Sequence, residues 1–486
     1  KGAPAYPTLL ATRPAPMPDP TWISLLPPVL AIVLAIGTRQ VYGSLAAGVW
    51  LGWTILHGWN PLAGLSAAIE AGVAVVGDAG NARVLGFTLV IGALIATVEA
   101  SGGVRGFVDW LERRRLVTTG RRARLLAFVI GVIIFIESNI TVLVAGAVGR
   151  PLFDRYRLSR EKLAYLIDAT SASVCILIPL NAWGAYVLAL LDEVGVDDPL
   201  GTFIAAIPLN LYALAAVTLA ALVAFTGWSI GPMRKADARA AAGQVADDDA
   251  APMLDEAALV PDPTSTIPPR LANMMLPLSV MVAMMPLGLF VTGGGDLRAG
   301  SGSTSVLWAV LSGLAVAWIM LLAQRAFTVE RLTQIGLRGA GGMLGMALVL
   351  LLALALGAVA RELGTGAYVA QLVAGTLAPP VLLPVVFLTG AFIAFSTGTS
   401  WGTFAIMVPI AVPVAVTLGL PAAPFLAAAL SGGIFGDHAS PISDTTIVSS
   451  LAAATDHVAH VRTQLPYALI AASVAALGFA VVGASL

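Results

Sequence analysis

The sequence predicts an all-α polytopic membrane protein of two inverted-topology repeats. Each repeat has about five transmembrane helices plus one re-entrant hairpin, with discontinuous helices at the midplane. Three observations carry that expectation. The 486-residue chain is 58% hydrophobic and only 11% charged, too poor in charge for a soluble domain. Apolar stretches of the ~17–25 residues needed to cross a bilayer as helix recur along it, where a β-barrel would show short alternating segments. The order of apolar and interrupted segments in the first half returns in the second.

Residues 1–21 are Pro/Ala-rich without an initiator Met and read as a trimmed or tagged N-terminal tail. The first repeat, 22–228, carries spans near 22–38, 41–58, 84–99, 163–191 and 203–228. The segment 229–270 is polar, acidic and Pro-rich and reads as a flexible cytoplasmic linker. The second repeat, 271–486, carries spans near 271–290, 304–324, 343–360, 422–453 and 466–484. "VLGFTLVIGALIATVEASGG" at 84–103 parallels "MLGMALVLLLALALGAVARELGTG" at 343–366. Between the third and fourth spans of each repeat lies one more apolar stretch, 125–149 and 383–417.

Charge decides how those two stretches run. Arg105, Arg113, Arg114, Arg115, Arg121, Arg122 and Arg124 precede 125–149, and Arg150, Arg155, Arg157, Arg160 and Lys162 follow it. The positive-inside rule puts both clusters in the cytoplasm. So 125–149 enters and leaves on one side, with its tip at Glu137-Ser138-Asn139. The flanks of 383–417, "GTLAPPVLL" and "TLGLPAAPF", hold no Lys or Arg and suit the outer face, with the tip at "STGTS", 396–400. This threading leaves only Lys1, Arg13, Arg83, Arg298 and Arg361 of the 26 Lys and Arg outside. It puts both termini outside and gives an inverted repeat, an architecture that binds substrate near the midplane.

Backbone at a mid-membrane tip is tolerated only where protein or water covers it, and its free carbonyls are cation ligands. Ser138, Asn139 and Thr141 add oxygens at the first tip, and Thr397, Thr399 and Ser400 at the second. The span after each hairpin is interrupted too. The first reads "LIDATSASVCILIPLNAWGAYV", with Asp168, Ser171, Ser173, Pro179 and Asn181. The second reads "SGGIFGDHASPISDTTIVSS", with Asp437, His438, Ser440, Pro441, Ser443, Asp444 and Thr445. Pro179 and Pro441 each remove a backbone donor, and both spans are too long for one straight crossing.

Glu137, Asp168, Asp437 and Asp444 fall in these elements, and no Lys or Arg does. A buried ionisable residue costs ~2.5–3.5 kcal/mol on insertion scales, so four of them point to function. An acidic, oxygen-rich site suits Na⁺, and desolvated carboxylates also take protons. Na⁺ and H⁺ then compete for the same groups, which is the physical core of antiport. Asp168 also reads as an interfacial helix-start residue, and Glu137 as a partner of a backbone amide. His438 reads as a buried hydrogen-bond partner or a proton-sensitive group. Asp456, His457, His460 and Arg462 read as a solvated face, with a pH sensor the alternative. Glu70, Asp78 and Glu99 read as loop or interface residues. Most Trp read as interface anchors, with Trp401 beside the second tip.

"GDHASPISDTTIVSS" (436–450), "DHVAHVRTQLPYA" (456–468) and "FSTGTSWGTFAIMVPI" (395–410) strongly resemble the NhaC-type sodium/proton antiporter family of the ion transporter superfamily. The resemblance implies an inner-membrane secondary transporter with two opposed hairpins, a homodimer working by an elevator-like movement. Na⁺ and H⁺ would be its transported ions. It implies sodium ligation at Ser138-Asn139 with Thr141, and at Thr397-Gly398-Thr399. The family's Gly-Asp-x-x-Ser-Pro-x-Ser-Asp-Thr motif maps onto Gly436, Asp437, Ser440, Pro441, Ser443, Asp444 and Thr445. The first tip departs from the pattern, its threonine displaced by one, and position 438 is His where other branches carry Asn. Some relatives exchange malate for lactate or move other organic solutes.

The net charge of −1 suggests no nucleic-acid partner. The single cysteine, Cys175, excludes an intramolecular disulfide and a cysteine-built metal site. No cofactor is expected. A passive channel fits two closed hairpins poorly, and no nucleophile elbow suggests an enzyme. The remaining alternative is a Na⁺- or H⁺-coupled transporter of an organic acid or amino acid.

Overall fold

A computed structural model describes residues 21–38, 40–113, 117–135, 138–179, 181–244, 268–295, 300–374 and 379–486. Among them every regular element is helical. After a 3₁₀ turn at Trp22–Leu25, the first half runs through α1 (Leu26–Thr38), α2 (Val41–Leu56), α3 (Pro61–Gly77) and α4 (Ala79–Ala100). It continues with α5 (Gly103–Arg113), α6 (Gly120–Ile133), α7 (Ser138–Arg155), α8 (Arg160–Cys175), α9 (Ala182–Glu193), α10 (Pro199–Ala206) and α11 (Leu211–Thr226). A short helix α12 (Pro232–Ala241) follows. The second half holds α13 (Ala272–Thr292), α14 (Gly302–Ala323), α15 (Val329–Gly342), α16 (Leu344–Glu362) and α17 (Thr365–Ala374). It ends with α18 (Pro379–Thr397), α19 (Ser400–Thr417), α20 (Ala422–Ala439), α21 (Asp444–Ala453) and α22 (His457–Ala484). Seven described helices are long and apolar enough to cross a membrane, or nine if each bent pair counts as one span.

Helix starts follow capping chemistry. Asn60, Asp78, Thr119, Asn181, Thr328, Thr399, Ser443 and Asp456 each accept a first-turn amide in a side-chain oxygen. Two helices fall between the expected spans. Residues 61–77 form α3, bent 119° from α2 across the left-handed Gly58-Trp59 turn, and 329–342 form α15. Glu70 therefore lies on a helix, and Asp78 caps α4. The span at 203–228 bends by 47° near Asn210.

The halves run through a similar order of helices, and contacts between them are reciprocal. In the first half α4 packs on α14 and α15, and in the second α16 packs on α2 and α3. The α4–α15 seam is a glycine contact: a Cβ on Gly92 would sit 2.3 Å from the Gly339 carbonyl oxygen. Only Gly permits that approach.

Both re-entrant candidates are helical hairpins. Gly432 faces Phe387 and Ala391, while Gly436 faces Ala391 to Phe395, so α20 runs parallel to α18. Ser400 meets Asp437 and Phe404 meets Gly433, so α19 runs antiparallel to α20, and hence to α18. The first hairpin repeats this. Gly120 faces Tyr156 and Leu158, Gly131 faces Thr170, and Gly149 faces Leu163, making α6 parallel and α7 antiparallel to α8. Each hairpin's second arm also reaches the other half: α7 packs on α21, and α19 on α9.

The beginning of the linker is not loose. α12 buries Met233, Ala236 and Ala240 against α8 and α22. Asp237 receives the buried Lys162 ammonium at 2.5 Å, and Arg239 pairs with the buried Glu161 carboxylate. The acidic stretch 245–267 lies outside the described residues.

Candidate functional site

Two helix breaks face two hairpin tips. α8 stops at Cys175 and α9 starts at Ala182, with Pro179 between them. α20 stops at Ala439 and α21 starts at Asp444, with Pro441 between them. These are the interruptions expected from the prolines and from the excess length of both spans.

Asn181 fastens the first break to the first tip. Its amide nitrogen donates to the Phe135 and Cys175 carbonyls, both at 2.8 Å, and its oxygen accepts the Gly184 amide. Thr141 donates to the Ile134 carbonyl. Both side chains therefore brace the tip. Ser138 is buried at the first residue of α7, and Ser173 is buried near the end of α8. Glu137 lies outside the described residues, as does the side chain of Asn139, whose backbone sits in the first turn of α7.

The second tip is tied to its break in the same way. Ser440 donates to the Phe395 carbonyl at 2.7 Å. Gly398 turns the chain at φ +70°, and a Cβ there would lie 2.5 Å from the Ile442 carbonyl oxygen. Ser400 Oγ donates to Asp437 Oδ2 at 2.8 Å, and both residues are buried. This contact joins tip and break through a carboxylate. Thr397 donates back to the Ile393 carbonyl, Thr399 caps α19, and Ser443 caps α21 while meeting Thr445. Asp444 opens α21, and its side chain lies outside the described residues. An aromatic group adjoins the tip: Trp401 lies 5.1 Å from Trp183 and 4.5 Å from Tyr186, ring centre to ring centre.

Asp168 is no interfacial residue. It is 3% exposed, and three donors of the second half converge on its carboxylate. Gln464 Nε2 lies at 2.7 Å, Thr446 Oγ1 at 3.1 Å and Ser449 Oγ at 3.2 Å. His438 Nε2 and His460 Nε2 stand 4.0 and 3.9 Å away. The Tyr212 hydroxyl meets His438 Nδ1 at 2.6 Å. His460 is fully buried, which corrects the solvated-face reading at that position, while Asp456 caps α22 and Arg462 is exposed.

Sequence reasoning missed Thr446, Ser449, Gln464 and Tyr212. A signal existed: His457, His460 and Gln464 recur at i, i+3 and i+7, a polar stripe on an otherwise apolar helix. Among the described residues no three His, Cys, Asp or Glu side chains could hold a metal ion together. The described ion pairs of Lys and Arg involve Asp154, Asp237, Glu161 and Glu193, none of them at a tip or a break.

Oxygen-lined helix breaks braced against hairpin tips, inside a bundle of apolar spans, define a secondary transporter rather than an enzyme. The chain belongs to the Na⁺/H⁺ antiporter family, whose profile matches residues 185–484. An uncharacterized protein of Haemophilus influenzae is 33% identical over 95% of this chain and 90% of its own length. The malate-2H⁺/Na⁺-lactate antiporter of Bacillus subtilis is 35% identical over 24% of this chain and 28% of its own. The crystal structure of the Alcanivorax borkumensis YdaH transporter superposes with a TM-score of 0.56, covering 87% of this chain and 88% of that one. At 16% identity that likeness speaks for the fold alone.

Proposed function

We propose that this protein exchanges Na⁺ for H⁺ by alternating access. The observation that carries the reading is the Ser400–Asp437 contact, a buried carboxylate shared between the second hairpin tip and the broken span. A cation entering there meets the carboxylate and the Ser400 hydroxyl. Hard oxygen ligands of that kind suit Na⁺. The described ion pairs of Lys and Arg lie away from the tips and breaks, so the local charge is carried by carboxylates. Na⁺ and H⁺ compete for Asp437, with Glu137 and Asp444 as further carboxylates at the first tip and second break. The first tip, 135–141, completes the opposed pair. Na⁺ is cargo, and no resident cofactor takes part.

Elevator-like movement needs two bodies, and the contacts supply a division. α1–α4 and α13–α16 pack extensively on one another, and the hairpins, breaks, α11 and α22 do likewise, with α16 against α19 and α9 against α4 and α16 joining the two groups. On this reading the chain works as a homodimer in the bacterial cytoplasmic membrane. The basic clusters face inward, both termini lie outside, and the hairpins re-enter from opposite faces. A second reading, Na⁺- or H⁺-coupled movement of a small organic solute, is favoured by the Trp183–Trp401–Tyr186 group beside the tip.

Proteoliposomes enclosing a pH dye test both. An imposed Na⁺ gradient alone drives proton movement in the antiporter, and Asp437→Asn abolishes it while leaving folded protein. A response that appears only when an organic acid or amino acid is added selects the second reading. Normal Na⁺-driven exchange in Asp437→Asn removes that carboxylate from the site.

A further inference from the structure

Hydrogen-bond counting around Ser450 shows one proton too few. The Gln464 amide spends both N–H groups, one on Asp168 Oδ2 and one on the His438 carbonyl, each at 2.7 Å. Flipping it would set its oxygen against two acceptors, so Oε1 faces His460 Nε2 at 2.8 Å. An amide oxygen only accepts. His460 therefore carries its proton on Nε2, and in the neutral ring Nδ1 is a bare lone pair. His457 gives the same result: its Nε2 lies 2.6 Å from the Pro441 carbonyl, which also only accepts. Both Nδ1 atoms point at one hydroxyl, Ser450 Oγ, at 3.0 Å from His457 and 2.8 Å from His460. That hydroxyl has a single hydrogen, and the Thr446 carbonyl at 2.7 Å is a third claimant. With neutral rings, at least one buried lone pair faces another lone pair.

One added proton closes the chain. One imidazole then donates through Nδ1–H to Ser450 Oγ, and the hydroxyl donates to the other Nδ1. We propose that His457, Ser450 and His460 form a proton-binding triad that holds one excess proton, with Asp168 as its counter-charge. The proposal rests on the Na⁺/H⁺ reading for its role in exchange, though not for its chemistry. The step is a plain proton transfer: hydronium gives up a proton to Nδ1, an N–H bond forms and water leaves.

The surroundings suit a proton port. Toward the interior the titratable neighbours are Asp168 and His438, with Tyr212 behind His438. Toward the basic end stand Asp456, which caps α22, and Arg160, which donates to the Ala454 carbonyl and pairs with Asp154. His457 is half-buried at that end and His460 fully buried, so the triad leads inward. Its inner end touches the cation locus through His438, the neighbour of Asp437 in α20.

The chain has four histidines, so ring-¹⁵N-histidine labelling gives few signals. His57→Gln removes the one on α2's C-terminal turn. Solid-state ¹⁵N NMR in liposomes is recorded over pH ~5–9, where histidine titrates. The expected result is a coupled titration of His457 and His460, with a doubly protonated imidazole shared between them. Ser450→Ala lowers that proton affinity about tenfold, the effect of one lost hydrogen bond, while the exposed Arg462→Gln leaves it unchanged. Neutral rings at both positions throughout the range, or an unchanged titration in Ser450→Ala, overturn the triad. A titrating triad without Na⁺-driven flux would sink the antiport reading alone. Na⁺-driven flux with neutral rings would sink the triad alone.

Discussion

Gly398→Ala puts the seat of the second tip to a direct test. Gly398 stands at φ +70°, where a Cβ costs roughly 1–2 kcal/mol in any setting. Here the Cβ would also lie 2.5 Å from the Ile442 oxygen and 2.8 Å from its carbonyl carbon, both backbone atoms. Relief requires the tip to leave the break, and the Ser440–Phe395 bond opposes that. Overpacking of this kind costs about 1–3 kcal/mol more. Gly419 is the control: its φ is +67°, and a Cβ there would meet nothing within 4 Å. Gly419→Ala should therefore show the conformational cost alone. The extra cost in Gly398→Ala corresponds to ~5–150-fold fewer molecules with the tip seated. Thermal denaturation of the purified variants and Na⁺-driven proton flux in proteoliposomes read the difference. Equal melting and equal flux in the two variants would refute the packing of tip against break.

Asp168→Asn should fold, because the new amide can point its nitrogen at Ser449, whose hydroxyl can turn to accept. Asp168→Leu should aggregate or lose expression on size-exclusion profiles, since it strands three buried donors at about 1–3 kcal/mol each. Gly433→Ala drives a Cβ to 2.4 Å from the edge of the Phe404 ring. It should destabilise by about 1–3 kcal/mol, and Phe404→Leu in the same chain should restore much of the melting temperature. Asp237→Ala leaves the Lys162 ammonium buried without its carboxylate. That should cost about 3–5 kcal/mol, recovered by adding Lys162→Met, as thermal denaturation will report. Saturating Na⁺ at ~100 times its Kd should stabilise the protein by about 2.7 kcal/mol, and Asp437→Asn should remove that gain in a choline-balanced melting assay.

The frame was legible because its signals are local. Pro179 and Pro441 mark where two long apolar spans break, and the oxygen-rich runs at 138–141 and 396–400 mark the tips. Asp437 could be singled out because an acid in an apolar run costs too much to be idle. What escaped depends on neighbours distant in sequence. The hydropathy of 41–77 does not record a bend of 119°. The Arg, Lys and Asp of 232–241 look solvated until Lys162 and Glu161 are seen beneath them. Met233, Ala236 and Ala240, three and four residues apart, were the trace of that buried face. His460 looked exposed because it follows a charged turn, and only the fold brings Asp168 to it.

The carboxylate of Asp168 has a consequence for biosynthesis. Its donors Thr446, Ser449 and Gln464 lie 278, 281 and 296 residues further along the chain. The ribosome therefore delivers α8 long before any of them exists. Until they are made, that segment carries an acid with none of these three partners, at an insertion penalty of ~2.5–3.5 kcal/mol. The nascent N-terminal half must wait at the translocon or near water, and its final burial is deferred to the closing helices.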